Sequence, residues 1–175
     1  MANRRVHFNK GNSSKIALVF SCPGQKEFQA GRPVNGTTGS NLDILLEMLR
    51  ERKLIGNFKS RYDFRITNAY SKVLFNNKDN RTEARLSEIY EKKNLDRLYA
   101  ELRDITDAVI CFGTRASKAI ERLNKTETQK LNLKIIHSCH LGLSSLNRIK
   151  ADKKGAEGTK ERLERLADEI VIQWG

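Results

Sequence analysis

The sequence has few cysteines and no long hydrophobic run, and each absence excludes a class of protein. Its three cysteines, Cys22, Cys111 and Cys139, are scattered and include no Cys-x-x-Cys pair, so a disulfide framework is excluded. The longest apolar run, Ile16–Phe20, is far shorter than the ~20 residues of a transmembrane helix. The N-terminus also lacks the apolar stretch of a secretory signal. These absences predict a protein of the reducing cytoplasm without a membrane partner.

Acidic residues are in the minority. The 175-residue chain has 33 Lys and Arg against 21 Asp and Glu, which gives a net charge of +12 and a pI of about 9.8. Lys and Arg gain affinity for nucleic acid by displacing counterions from its phosphates. The composition therefore favours a nucleic-acid partner, and the alternative is a protein that is basic without such a partner. Residues 1–14 are predicted to form a basic arm and residues 148–158 a mobile basic loop.

Apolar runs alternate with helical patterns along the chain, and the length of 175 residues suits a single domain. Short β-branched or aromatic runs predict four strands, at residues 16–20, 64–67, 108–112 and 133–136. Helical spacings of apolar residues predict helices that begin at Ser40 and Thr114 and that span residues 82–104 and 157–170. The alternation predicts one α/β domain over residues 1–175, with a four-stranded, mainly parallel sheet flanked by helices.

In an open parallel sheet, ligands bind beyond the carboxyl ends of the strands. The side chains with useful chemistry at these ends are Ser21, Cys22, Asn68, His137, Cys139 and His140. The spacing of the histidines and cysteines among them does not match a structural zinc site, so no metal is predicted.

An ordered set of motifs surrounds these residues. Pro23-Gly24 with Glu27 follows the first strand, and Gly31-Arg32-Pro33, Gly36, Gly39 and Leu42-Asp43 come next without a gap. This order resembles the uracil-DNA glycosylase superfamily, most closely its small iron–sulfur-containing branch. In that branch the corresponding pattern is Gly-Glu-Ala-Pro-Gly-x-x-Glu, Gly-x-Pro-Phe-x-Gly and x-Ala-Gly before a Leu-Asp helix. Later matches are Ile66-Thr67-Asn68, Asn80-Arg81-Thr82 and His140, which occupies the place of the His in His-Pro-Ser.

The resemblance, which covers residues 15–148, implies the fold of that superfamily and a role for each matching residue. His140 would donate a hydrogen bond to the departing base. The family's residue for the attacking water is absent, and its role would fall to Glu27, the nearest carboxylate, or to the backbone together with Ser21. The residues implied in base binding are Asn68, Cys22, Pro23, Gly24, Gln25 and Val34. Those implied in DNA binding are Gly36, Thr37, Thr38, Gly39, Ser40, Leu141, Leu143 and Arg148.

Structural roles remain open as alternatives for several of these residues. Asn68 could cap a turn, His140 could be a structural histidine, and Gly36–Gly39 could form an ordinary tight loop. Leu141 and Leu143 could insert into the base stack or could be buried.

The sequence also departs from the family pattern. The cysteines that would hold an iron–sulfur cluster are missing, and Lys72 stands near the place of one of them, so no cluster or other cofactor is predicted. The acid or amide that related branches place in the first motif is absent as well. Ser21 and Cys22 stand there instead.

Two further departures concern the substrate. Val34 stands where the family has the aromatic ring that stacks on the flipped base, and Gly142 replaces a serine. These changes predict weak binding of plain uracil and room for a bulky pyrimidine, such as the hydroxymethylated or glucosylated cytosine of some phage genomes. A protein with that substrate would serve antiviral defence. The alternative is that Phe28 or Tyr70 fills the space and uracil remains the substrate.

The sequence therefore predicts a monofunctional DNA glycosylase that hydrolyses the N-glycosidic bond of a flipped uracil or modified pyrimidine. It is expected to act as a monomer and to need no protein partner. Two other interpretations are a catalytically inactive DNA-binding module with the same fold and a nucleotide-binding regulatory domain. The second is the weaker of these because no Walker-type or dinucleotide glycine pattern is present.

Overall fold

A five-stranded sheet organises the protein, which we describe over residues 5–175 of a computed structural model. The strands are Phe8–Asn9 (β1), Ile16–Phe20 (β2), Arg65–Asn68 (β3), Ala108–Phe112 (β4) and Lys134–Ser138 (β5). Their order in the sheet is β1-β3-β2-β4-β5. β2 to β5 are parallel, whereas β1 pairs antiparallel with β3. The predicted α/β fold with a mainly parallel sheet is confirmed.

The prediction of four strands missed β1. This strand has only two residues, too few to show an alternating pattern, and it exists through its pairing with Thr67 and Ile66 of β3. It lies within residues 1–14, which were predicted as a basic arm. The first four residues of that arm, including Arg4, fall outside the described part of the chain.

The helices cover both faces of the sheet. They are Gln25–Ala30 (α1), Gly36–Glu51 (α2), Asn76–Asp79 (α3), Leu86–Ile89 (α4), Lys92–Leu102 (α5), Thr114–Asn124 (α6), Leu143–Leu146 (α7) and Gly155–Trp174 (α8). α2 and α8 pack on one face, and α4, α5 and α6 pack on the other. β2 and β4 are buried along their whole length, as their continuous apolar sequences predict. Among the described residues, no helix is both long and apolar enough to span a membrane.

Three predicted helices differ from the structure, and the short helices α1, α3 and α7 were not predicted. α2 begins at Gly36, with Asn35 as its N-cap, so the prediction that this helix begins at Ser40 is wrong by one turn. The segment at residues 82–104 forms two helices, α4 and α5, and Asn94 ties them together by donating from Nδ2 to the carbonyl of Ile89 at 2.8 Å. α8 begins at Gly155, so the predicted loop at residues 148–158 includes the first turn of this helix. The short helix α3 was not predicted because four polar residues carry no apolar period.

Candidate active site

A cavity of about 490 Å³ lies at the carboxyl edge of the sheet, beyond β2 and β3; we call it the edge cavity. The residues predicted for the site that line it are Cys22, Gly24, Gln25, Glu27, Val34, Thr38, Asn68 and His140. They come from five separate places in the sequence, and the parallel strands bring them together. The cavity is therefore where the topology concentrates the side chains of the site.

His140, which follows β5, is held in one tautomer. The backbone N–H of Gly142 donates to its Nδ1 at 2.9 Å, so Nδ1 carries no proton and the neutral ring must carry it on Nε2. Burial lowers the pKa of His140 below its ordinary value of 6.5, which keeps the ring neutral. The Phe20 ring meets the imidazole edge-on, with 6.4 Å between ring centroids. His140 is thus a neutral hydrogen-bond donor in the cavity wall.

The absence of a side chain at Gly142 leaves room for the His140 ring to accept this hydrogen bond. A Cβ at that position would lie 3.0 Å from Nδ1 of His140, which is closer than side chains normally approach. The replacement of the family's serine by Gly142 therefore bears directly on the imidazole.

Asn68 ends β3 with its side chain in the cavity wall. The residue is only 3% exposed, and its Oδ1 is buried without a hydrogen-bond partner among the described residues. A buried acceptor without a donor costs about 1–3 kcal/mol, so such an atom in a cavity marks a place for a ligand donor. Arg97 holds the backbone here by donating from Nη2 to the carbonyl of Asn68 at 2.9 Å. These contacts favour a binding role for Asn68 over a turn cap.

Cys22 and Ser21 follow β2, but only Cys22 reaches the cavity. The Cys22 thiol donates to the carbonyl of Thr82 at 3.3 Å, and burial raises its pKa to about 11. This thiol is therefore a neutral group at physiological pH and not a nucleophile. Ser21 is buried, its Oγ has no partner among the described residues, and it does not line the cavity. The position of Ser21 therefore does not support the predicted contact with the attacking water.

Glu27 lines the cavity and braces two loops. Its Oε2 accepts from the backbone N–H of Gly24 at 3.0 Å, and its Oε1 accepts from that of Asn35 at 2.9 Å. Each oxygen keeps a further lone pair, so the carboxylate can still accept a hydrogen bond from a water molecule. Pro23 is buried beside this brace, and its carbonyl accepts from Leu74 N–H at 2.9 Å. Pro23 thus shapes the cavity without lining it.

Val34 lies in the cavity wall with a left-handed backbone. Its φ of +50° is rare for a β-branched residue and reflects the tight turn into α2. Neither Phe28 nor Tyr70, the candidates to replace the missing ring, lines the cavity: Phe28 is 58% exposed and Tyr70 belongs to the core beneath α5. Two phenylalanines do line the cavity: Phe20 at the end of β2 and Phe75 at the start of α3.

The structure also brings in residues that the sequence did not predict. They line the edge cavity and are Phe20, Leu74, Phe75, Asn76, Asn77 and Thr82. Thr82 belongs to Asn80-Arg81-Thr82, which resembles a family motif. For Phe75, Asn76 and Asn77, the signal available in the sequence was an aromatic residue followed by two adjacent asparagines.

Five of the residues predicted to bind DNA, Gly36 to Ser40, lie at the start of α2. The N-cap of this helix, Asn35, makes no side-chain cap, so backbone N–H groups remain free at this end. Thr37 and Ser40 are exposed, and Thr38 lines the cavity. Gly39 is buried, and a Cβ there would lie 3.0 Å from the Arg61 guanidinium. This segment is therefore a helix start rather than an ordinary loop.

Leu141 and Leu143 differ in exposure. Leu141 is fully buried, and its carbonyl accepts from Asn41 Nδ2 at 2.7 Å. The prediction that Leu141 inserts into DNA is therefore wrong, because the side chain is part of the core. Leu143 is 48% exposed at the start of α7. Arg148 is exposed and lines a second cavity that shares His140.

Among residues 5–175, no group of three or more His, Cys, Asp or Glu side chains is arranged to hold a metal ion. The three cysteines are free thiols.

The fold and the cavity define an α/β protein with an imidazole and an amide at the carboxyl edge of its sheet. Residues 8–167 match the Uracil DNA glycosylase superfamily, and the chain belongs to this superfamily. Its membership indicates DNA glycosylase chemistry. The sequence has no match among curated proteins.

Proposed function

We propose that the protein is a monofunctional DNA glycosylase that hydrolyses the N-glycosidic bond of a pyrimidine flipped out of DNA into the edge cavity. The observation that carries the proposal is the hydrogen bond from Gly142 N–H to His140 Nδ1, which leaves a proton on Nε2 for the base. A flipped base exposes polar edges that its partner base no longer satisfies, so the cavity must supply partners for them.

The reaction leaves a negative charge on the departing base. As the bond between the sugar C1′ and the base nitrogen breaks, its electron pair stays on the base and negative charge develops on the O2 oxygen of the pyrimidine. A water molecule adds to C1′ and becomes the sugar hydroxyl; the proton that it loses passes through Glu27 to solvent, and the released base takes up a proton from solvent. We assign to Nε2–H of His140 the role of donor to that oxygen, without transfer of its proton. A neutral imidazole suits this role, since its low pKa keeps Nδ1 free to accept from Gly142.

Asn68 is proposed to recognise the base. Its orphan Oδ1 would accept from a ring N–H or an amino group of the pyrimidine, and its amide can also donate. Glu27 is proposed to hold the attacking water through its remaining lone pairs, because it is the carboxylate of the cavity wall.

The substrate is proposed to be uracil or a modified pyrimidine. Val34 presents no ring to the base, and a cavity of about 490 Å³ lies within the range of sites that hold ligands larger than one pyrimidine ring. These features favour a pyrimidine with a bulky substituent. Phe75 favours uracil if its ring stacks on the base in place of the missing aromatic residue.

The test is to incubate the protein with uracil-containing, hydroxymethylated and glucosylated DNA and to identify any released base by mass spectrometry. Release of a pyrimidine base supports the proposal. Val34→Phe should then shift any preference for bulky bases towards uracil, with Val34→Leu as an apolar control without a ring. Efficient release of uracil alone would contradict the bulky substrate.

The alternative is a DNA-binding module without hydrolysis, which the absence of an acid in the first motif favours. Tight DNA binding with no base released from any of the three DNAs would support this module and contradict the enzyme.

A further inference from the structure

A second concave surface lies away from the edge cavity, between β1 and α5. It has a volume of about 870 Å³, and we call it the α5 groove. Its charged side chains come from the N-terminal segment, from the start of β3 and from one side of α5 and the residues just after it. The groove brings six Lys and Arg side chains together with two carboxylates.

Both carboxylates of the groove are paired with an arginine. Asp104 is held by Arg65 through two hydrogen bonds, of 2.7 and 2.9 Å. Glu101 is buried and accepts from Thr67 Oγ1 at 2.6 Å and from Arg97 Nη1 at 2.5 Å, while His7 Nε2 lies 3.0 Å from its other oxygen. Each carboxylate therefore neutralises one arginine.

Four cations remain without a carboxylate partner among the described residues. They are Arg5, Lys10, Lys93 and Arg103, and all four are exposed. The α5 groove thus places four exposed cations around one concave surface, where together they can neutralise the phosphates of a polyanion.

The groove begins beside the active site. α5 runs antiparallel to β3: Asn94 near its start donates to the carbonyl of Ala69, directly after Asn68, at 2.7 Å. Its far end meets the start of β3, where Arg65 binds Asp104. At 1.5 Å per residue, the track from Lys93 to Arg103 is roughly 15 Å long. At about 3.4 Å of helix axis per phosphate of one strand, that length accommodates up to about four phosphates.

We propose that the α5 groove binds the sugar–phosphate backbone of the DNA strand whose target base occupies the edge cavity, and so holds the flank of that strand. This inference rests on DNA as the ligand of the proposed function. The groove contacts phosphates and reads no sequence, because its free groups are flexible cations. The half-buried Phe8 ring in the groove wall adds an aromatic surface of the kind found in single-strand binding sites.

The test compares two triple variants with the same loss of charge. The groove variant is Lys10→Gln, Lys93→Gln and Arg103→Gln. The control is Lys125→Gln, Lys130→Gln and Lys160→Gln, three exposed lysines that do not line the groove. Thermal unfolding followed by circular dichroism establishes that both variants fold.

Binding is measured by fluorescence anisotropy with single-stranded DNAs of increasing length that lack uracil and modified bases, over a range of salt. Wild-type affinity should rise with length. The groove variant should bind the longest strand ~10-fold more weakly and should lose about 2 from its log–log salt slope, since each neutralised phosphate contributes ~0.7. The control should bind as wild type does.

Equal weakening of both triple variants, or no weakening of the groove variant, would overturn the inference. A wild-type affinity that does not depend on length would also overturn it, because it indicates a ligand the size of a nucleotide. The proposed function can fail separately from this inference. If no base is released from any DNA, but the groove variant still loses the rise of affinity with strand length, the glycosylase proposal is wrong and the groove proposal stands.

Discussion

The edge cavity is lined mostly by neutral groups, whereas the α5 groove is lined mostly by charged groups. The cavity wall presents a neutral imidazole, an amide and a protonated thiol from His140, Asn68 and Cys22. The groove presents full charges that are exposed to solvent. Fixed dipoles in a water-poor site act on charge that develops during a reaction, whereas exposed cations act on charge that is already present. We therefore expect substitutions in the cavity to change the rate of reaction and substitutions in the groove to change the affinity for DNA.

Removal of the His140 imidazole is the strongest test of this division. His140→Ala should lower single-turnover excision by ~10²–10³, the typical cost of losing one donor to a developing anion, and should leave DNA affinity nearly unchanged. The measurement is the rate of base release at saturating protein, together with anisotropy for binding.

His137→Ala is the matched control. His137 lies on β5, three residues before His140, but its Nδ1 is 2.9 Å from Ser117 Oγ and it does not line the edge cavity. Its removal should leave excision intact. Equal losses of rate and affinity in His140→Ala, or loss of the fold, would assign His140 a structural role.

A smaller effect is expected from loss of the hydrogen bond that sets the tautomer. Gly142 has φ −71°, which proline can adopt, so Gly142→Pro removes the N–H without forcing this angle. Gly142→Ala adds a Cβ at the same place and keeps the N–H. Excision by the proline variant should be roughly 10-fold slower than by the alanine variant, because the imidazole is no longer held with its proton on Nε2. Equal rates for the two variants would show that the tautomer is set in another way.

The sequence predicted the centre of the site better than its walls. Asn68 and His140 could be predicted because parallel strands bring their carboxyl ends to one edge, and the apolar runs before both residues are visible in the sequence. Phe75 could not, since α3 has no apolar period and its place depends on how the chain folds back after β3. The burial of Leu141 depends on packing between α2 and the segment after β5, which sequence spacing does not contain.

The α5 groove could not be predicted from the sequence for a different reason. Lys93, Arg97 and Arg103 read as ordinary solvent-facing charges of an amphipathic helix. Which of these cations stay free depends on ion pairs between residues far apart in the sequence, such as Arg65 with Asp104. A net charge of +12 indicated a polyanionic partner, but only the folded chain indicates where the unpaired charge lies.

The smallest expected effect is the pH dependence of excision. Burial holds the pKa of His140 below 6.5, and the reaction needs the neutral ring. Between pH 7 and pH 6 the single-turnover rate should therefore fall by less than about threefold, the change that an unshifted imidazole would give, and it should fall further at lower pH. Over the same range the Lys and Arg side chains of the groove keep their charge, so the part of DNA affinity that they supply should stay constant.

Stability should change in the same direction as the rate. Below pH 6.5 the unfolded chain binds a proton on His140 more readily than the folded protein does, so acidification favours unfolding. Thermal unfolding should therefore be measured at each pH used for the kinetics. His140→Gln should remove the part of the pH dependence of stability that comes from protonation of His140. A rate that rises on acidification would contradict the neutral donor, since it would mean that an imidazolium supplies the proton to the base. It would also remove the contrast with the α5 groove, because both sites would then act through full positive charge.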